Sequence, residues 1–460
     1  MAPLSKARTA LSALRADLAG EVFAPGDPDY DEARTVFNAM IDRHPAVIAQ
    51  CAEKSDVVRA VRFARELDLK IAVRGGGHSV AGMALNDNGL VVDLRRMHDV
   101  TVHPGSASVR VEGGAVMSHL DRATQPHGLA TTGGRVSTTG VGGFVLGGGN
   151  GWLDRAFGLA VDNLLGVELV TADGSTVLAT AQENPELFWA LHGGGGNFGV
   201  ATALTLKLHE LPEFSLALLM FVPETGPEAV RTYRDVIATA APEVGGAVLY
   251  ITGPPEPFVP EHLVGTLLCA VLVTYVGGED DLRKLAQPLL ALPHAAQVVS
   301  ATPYADFQCM LDAPPGLRNY WSAEYLTGLP DELVDIFCAR APSMPVPSSC
   351  QHVLFPQGGA IAAGPAEYPV PYRDAAWTVH PFGVWEDPAD DEKALRWVRD
   401  VRADVRPWRT GAVYLNFIGD EGRDRVVAGL GTGNLNRLAR VKRQYDPDNV
   451  FRYNHNIPPA

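Results

Sequence analysis

The chain has 460 residues, 46% hydrophobic and 20% charged, which is too long for one ordinary core and predicts two domains. A formal net charge of −15 with no Lys/Arg-rich run excludes a general nucleic-acid binder. Cys51, Cys269, Cys309, Cys338 and Cys350 are scattered and lack metal-ligand spacing, so buried thiols in a reducing compartment and no metal site are expected. No segment reaches about 18 continuous apolar residues, so neither a signal peptide nor a membrane span is expected, and the cytoplasm is the default.

Residues 1–20 read as a helix. Ser55 reads as the N-cap of a second, with Val57, Val58, Val61, Ala64 and Leu67 on one apolar face. The apolar run Ile71-Ala72-Val73 then enters residues 74–82, RGGGHSVAG, and a second strand follows at 89–94. A Rossmann turn needs a helix directly after its glycines, so this strand-turn-strand unit is a different device. Its three glycines allow a close backbone approach that points N–H groups at an anion. Arg74 adds a charge suited to a phosphate pair, and His78 could reach whatever that phosphate carries.

Residues 107–112 read as a strand and 116–124 as a helix. The stretch 131–151, TTGGRVSTTGVGGFVLGGGNG, is too glycine-dense for a regular helix or strand. Val141, Phe144, Val145 and Leu146 make it too apolar for a flexible linker, which points to a ligand cradle. A hairpin is expected over 166–180 with Asp173-Gly174 at its turn, then a short helix after Asn184-Pro185, four glycines at 193–196 and a strand over 200–208.

Leu211-Pro212 marks a boundary. Beyond it, strands at 216–222, 248–252, 267–276, 320–326, 353–362 and 375–385 alternate with helices at 227–241, 280–292 and 390–405. This is the pattern of a pocket-bearing domain with aromatic strands. The end of the chain offers a strand at 413–417, a helix at 435–444 and the tail FRYNHNIPP, too specific in composition for a frayed terminus.

These residues resemble the flavin-linked oxidases of the vanillyl-alcohol-oxidase (PCMH-type) superfamily, in the berberine-bridge-enzyme-like branch. The carriers are VRGGGHSVAG (73–82), TTGVGGFVLGGGNGWL (138–153), GLAVDNLLGVELVTADG (158–174), ELFWALHGGGGNFGV (186–200), YLNF (414–417) and YDPDNVFRYNHNIPP (445–459), all in the family order. The resemblance implies an α+β fold. Residues 1–210 (core about 43–210) would form an FAD-binding domain completed by 411–460, with an antiparallel-sheet substrate domain inserted at 211–410.

The resemblance further implies FAD held by Arg74, Gly75, Gly76, Gly77, His78, Ser79, Gly82, Thr132, Gly133, Val136, Thr139, Gly140, Gly142, Gly143, Gly149, Val167, Asn454 and Asn456. His78 falls where the family bonds the flavin 8α-methyl. Val136 stands where many members carry a second, cysteinyl bond, so one covalent link is expected. Thr139 falls on the side from which dioxygen reaches the flavin. Tyr414, in the family's Y-x-N-Y/F motif with Asn416 and Phe417, is implied as catalytic base; an ordinary tyrosine pKa near 10 would need a nearby cation to lower it. A core tyrosine is the plainer alternative, as it is for Tyr320, Trp321 and Tyr325. Arg318, Glu324, His352 and His380 are candidate polar groups of the pocket, with His380 more simply a structural histidine.

The implied activity is oxidation of an alcohol, sugar or amine, with dioxygen as acceptor and hydrogen peroxide as product, as in bacterial secondary metabolism. A dehydrogenase using another acceptor and an idle flavin carrier are the alternatives. The partners are a small-molecule substrate and dioxygen, with no nucleic acid or membrane; a homo-oligomer is compatible with the composition.

Overall fold

The computed structural model describes residues 2–460. Alternating apolar residues build three main sheets in it. The first runs Glu21–Phe23, Val47–Gln50, Leu90–Asp93, Ile71–Arg74, and its last three strands are parallel. Lys54–Glu66 packs on it through Val57, Ala60, Val61 and Ala64, and Glu53 rather than Ser55 holds the cap position. The second sheet, Val100–His103, Ser108–Glu112, Val200–Lys207, Leu164–Val170 and Thr176–Ala179, is antiparallel throughout.

The large third sheet is antiparallel, in the order Ala296–Ala301, Ser215–Phe221, Leu267–Tyr275, Val244–Thr252, Gln351–Pro356, Trp377–Trp385, Arg318–Trp321, with Glu324–Leu326 also pairing to Trp377–Trp385. The two-residue period of its strands sorts the side chains. Ala217, Leu219, Phe221 and Val379 pack on the helices Gly226–Thr239, Asp331–Arg340 and Asp391–Asp404. Leu216, Met220, Leu249 and Phe355 turn to the opposite face and meet Trp152, Leu153 and Phe307. That second face covers the residues that follow the glycine-rich stretch.

The end of the chain returns to the first two sheets. Thr432–Tyr445 carries Lys442, whose ammonium is wholly buried and donates to Asp446 Oδ2 (2.6 Å), Asn197 O (2.8 Å) and Phe451 O (2.9 Å). Asp446 also accepts the N–H groups of Val450 and Phe451, so the buried pair is fully hydrogen-bonded. Among the described residues no helix is long and apolar enough to cross a membrane, and no group of side chains is arranged to hold a metal.

Other expectations change as well: the strand expected over 320–326 is broken between Trp321 and Glu324, and the helix expected over 280–292 is two, Glu279–Leu285 and Gln287–Leu290. Val141–Leu146 is a short helix despite Gly142 and Gly143, because Val141, Phe144, Val145 and Leu146 are buried in the second sheet's core and packing outweighs propensity. Residues 413–417 form no ladder; Tyr414 is extended and Leu415–Phe417 makes a tight turn. The strand expected over 353–362 stops at Pro356, where Gly358 and Gly359 at positive φ turn the chain into the helical turn Ala360–Ala363. The strands Glu21–Phe23, Val47–Gln50, Val100–His103 and Ala296–Ala301 and the helix Arg423–Leu430 carry too little periodicity to be read beforehand.

Candidate active site

Between the two smaller sheets and the large one lies a cavity of about 310 Å³. Its floor is backbone. Gly75, Gly76, Gly77, His78 and Ser79 line it, and none of their N–H groups donates to another described group of the protein. Such a row of free donors is an anion nest. A Cβ built on Gly76 would lie 2.5 Å from Gly140 N, so these two glycines let two loops touch. Gly140, Gly142, Gly143 and Gly193, Gly194, Gly195, Gly196 extend the floor.

The ceiling is side chains. His380 and Phe382 come from Trp377–Trp385, Trp321 from Arg318–Trp321, and Phe417 from the turn after Tyr414. His380 has Phe382 and Phe417 at 3.8 and 4.1 Å between ring centroids. Tyr414 is fully buried. Its hydroxyl oxygen accepts the Gly149 N–H at 3.0 Å and the Asn416 amide at 2.9 Å. Asn416 also donates to the carbonyls of Gly143 and Phe144, which locks the turn to the glycine helix.

Burial pushes the Tyr414 hydroxyl up to about 12, against the lowering effect of its hydrogen bonds from Asn416, Asn150 and Gly149 and of the Arg135 charge. The cation that a basic tyrosine would need is present, but desolvation outweighs it, so Tyr414 is a neutral phenol at pH 7. Burial likewise pushes His78 down to about 4 and His455 to about 4, leaving both imidazoles uncharged. His78 stacks on Phe37 at 3.7 Å, and its Nε2 pairs with Thr138 Oγ1 at 2.8 Å. The ring is only half-covered because one side faces the cavity.

Of the residues named from the sequence, Gly75, Gly76, Gly77, His78, Ser79, Val136, Thr139, Gly140, Gly142, Gly143, Asn454 and Tyr414 line the cavity. Arg74 does not. Its guanidinium is buried and donates to Ala33 O at 2.7 Å, on the far side of the loop, where Asp93 attracts it. Gly82, Thr132, Gly133, Gly149, Val167 and Asn456 stand one layer back: Gly149 holds Tyr414, Thr132 donates to Gly158 O, and Asn456 O accepts from Arg423. Arg318 pairs with Asp391, Glu324 with Arg402 and Arg425, and His352 bonds Phe337 O, so among those four candidates only His380 reaches the cavity.

Sequence reasoning passed over Arg135, the only Lys or Arg on the cavity wall among the described residues. Its Nη2 donates to Gly151 O at 2.8 Å, with Asp154 Oδ2 at 3.4 Å, and its guanidinium lies 3.8 Å over Phe355 and 5.2 Å over Trp152. Asn150 was also passed over; its amide oxygen accepts the Tyr325 hydroxyl at 2.5 Å. Only its place within the glycine stretch signalled it.

The nest, the glycine contacts and the unpartnered Asn454 Oδ1 fit a dinucleotide with a pyrophosphate and a flat ring system. The comparisons agree. Residues 45–180 match the FAD binding domain family, and residues 413–458 match the family described as berberine and berberine like. A (R)-6-hydroxynicotine oxidase of Paenarthrobacter nicotinovorans is 31% identical, covering 99% of this chain and 99% of its own. A Bacillus subtilis protein described as an uncharacterized FAD-linked oxidoreductase is 30% identical, covering 96% and 97%. The solved structure of 6-hydroxy-D-nicotine oxidase from Arthrobacter nicotinovorans superposes with a TM-score of 0.86 at 28% identity, over 96% of this chain and 98% of that one. Physcomitrella patens BBE-like 1, at 23% identity, shares the fold with a TM-score of 0.86.

Proposed function

The chain belongs to the berberine-bridge-like family of FAD-linked oxidoreductases, and on that premise we propose that it is an oxidase for a small organic molecule. The supporting observation is the juxtaposition of a backbone floor ending at His78 with an aromatic ceiling closed by Tyr414. The floor would hold FAD through the N–H groups of residues 75–79 together with Gly140, Gly142, Gly143 and Asn454. Bound FAD supplies an acceptor for two electrons and a hydride.

His78 is the proposed covalent anchor. Its ring is uncharged at neutral pH, as a nucleophile must be, and its Nδ1 has no hydrogen-bond partner among the described residues. No cysteine lines the cavity among the described residues, so the proposed link is single. Tyr414 is placed to hold a substrate oxygen or nitrogen. Hydrogen bonds from Asn416, Asn150 and Gly149 converge on its oxygen and oppose the burial that raises its pKa, while its own proton stays free to donate. Thr139 on the wall leaves room for dioxygen, and peroxide release on aerobic turnover separates an oxidase from a dehydrogenase. Free thiols throughout suit a reducing, cytoplasmic setting.

The test is acid precipitation of the purified protein followed by a denaturing gel viewed for flavin fluorescence. A fluorescent band is expected from the wild type and no band from His78→Ala. A fluorescent His78→Ala band would move the anchor elsewhere, and a yellow supernatant over a colourless pellet would make the flavin noncovalent. Tyr414→Phe is expected to keep the flavin while turnover falls at least tenfold; unchanged turnover would remove Tyr414 from the mechanism.

A further inference from the structure

His380 occupies an unusual position for a buried histidine. It is 0% exposed, on the cavity face of Trp377–Trp385. Its Nδ1 lies 2.8 Å from Ser322 O. A carbonyl oxygen only accepts, so Nδ1 carries the ring's proton and the neutral tautomer is fixed. Nε2, at the other end of the ring, is therefore a bare lone pair, and among the described residues no group donates to it. A buried acceptor without a donor is destabilising, because it has given up water and gained nothing in exchange. Packing alone does not call for that cost; a phenylalanine would fill the same aromatic slot beside Phe382 and Phe417.

The charges around it narrow what the missing donor can be. Among the described residues no Asp or Glu side chain lines the cavity, and Arg135 is the cation on its wall. An ammonium entering this space would be desolvated and would meet no free counter-ion, since Asp154 is already paired with Arg135, so a neutral donor is favoured over a charged one. A neutral hydroxyl or neutral N–H meets neither penalty. The remaining ceiling, Trp321, Phe382 and Phe417, is shaped for a flat apolar body.

We propose that His380 is a specificity-determining residue, whose Nε2 accepts a hydrogen bond from an uncharged O–H or N–H on an aromatic substrate. This rests on the oxidase reading above, because the substrate must lie between this ceiling and the flavin. His380 orients the donor and takes no second proton, since an imidazolium here would be buried beside Arg135.

The experiment uses the FAD-loaded protein, with phenol and anisole as probes of nearly equal shape, and follows the flavin absorbance during titration. Phenol carries a neutral donor at pH 7 and anisole has none. Wild type is expected to bind phenol at least tenfold more tightly. His380→Phe is expected to bind both alike, while keeping its flavin. Because that change orphans Ser322 O, a second measurement uses wild type alone: in protein labelled with 15N-histidine, the unprotonated Nε2 resonance of His380 should shift on adding phenol and stay in place on adding anisole. Equal affinities in wild type, binding of neither probe, a phenol preference that survives in His380→Phe, or an unmoved resonance would each overturn the proposal. A chain that takes up no FAD would instead overturn the functional reading, and this inference with it.

Discussion

The floor and the ceiling of the cavity are built from opposite materials. The floor is main chain, made narrow by glycines whose missing side chains let Gly76 and Gly140 touch. The ceiling is side chain: His380 and Phe382 project from Trp377–Trp385, a strand paired on both sides, Trp321 from the edge strand Arg318–Trp321, and Phe417 from the turn after Tyr414. A main-chain floor tolerates no addition, because backbone cannot step aside. A side-chain ceiling tolerates exchange among rings of similar size, because its scaffold does not depend on them. The floor therefore suits a ligand that never changes, and the ceiling suits one that differs between relatives.

The comparison can be broken from the floor first. Gly76→Ala would drive a methyl group into Gly140 N and Cα, and it should abolish FAD retention and cost about 1–3 kcal/mol of stability. FAD content by absorbance and a urea melt measure both; full occupancy would show that the floor yields after all.

A smaller effect joins the two regions through acid. Burial holds His78 and His455 at about 4 and His380 at about 3, below the unfolded value near 6.5. Each binds its proton more readily in the unfolded chain, so stability is complete above about pH 6.5 and falls as the pH drops from there toward 4. The apo-protein's melting temperature is expected to be flat from pH 7 to 8 and to fall by about 5 °C or more by pH 5. A flat profile over that lower window would mean that these rings are solvated.

The smallest effect belongs to the ceiling. Trp321→Phe keeps a ring and removes an indole N–H that has no partner among the described residues, so stability should change by less than about 1 kcal/mol with FAD content unchanged. What should move is the affinity for small aromatic ligands. Loss of flavin from this variant would erase the distinction between the two regions.

Legibility follows the same divide. The RGGGHSVAG and GVGG runs announce themselves because only glycine meets their steric demand, and His78 and Tyr414 sit in sequence beside what they serve. Arg74 shows the limit: a cation next to a phosphate-like loop reads as a ligand, while its actual partner, the Ala33 carbonyl, is contributed by a distant segment. Arg135 and His380 were obscure for a related reason. One lies inside a glycine stretch where it resembles a loop charge, and the other interrupts an apolar strand. Their significance depends on Phe355, Trp152 and Ser322, neighbours that no local pattern names. The helix Val141–Leu146 escaped because burial, rather than propensity, holds it.

The way Lys442 ties the last helix to Asn197 and Phe451 also fixes an order of events at the ribosome. The cavity takes walls from residues 71–84 and from residues 414–455, and the N–H of Ile71 itself donates to Val450 O. Domains fold as their residues emerge during synthesis. Here the cradle stays open along one side until residues 414–455 have emerged, so a nascent chain stalled before residue 440 should carry no flavin.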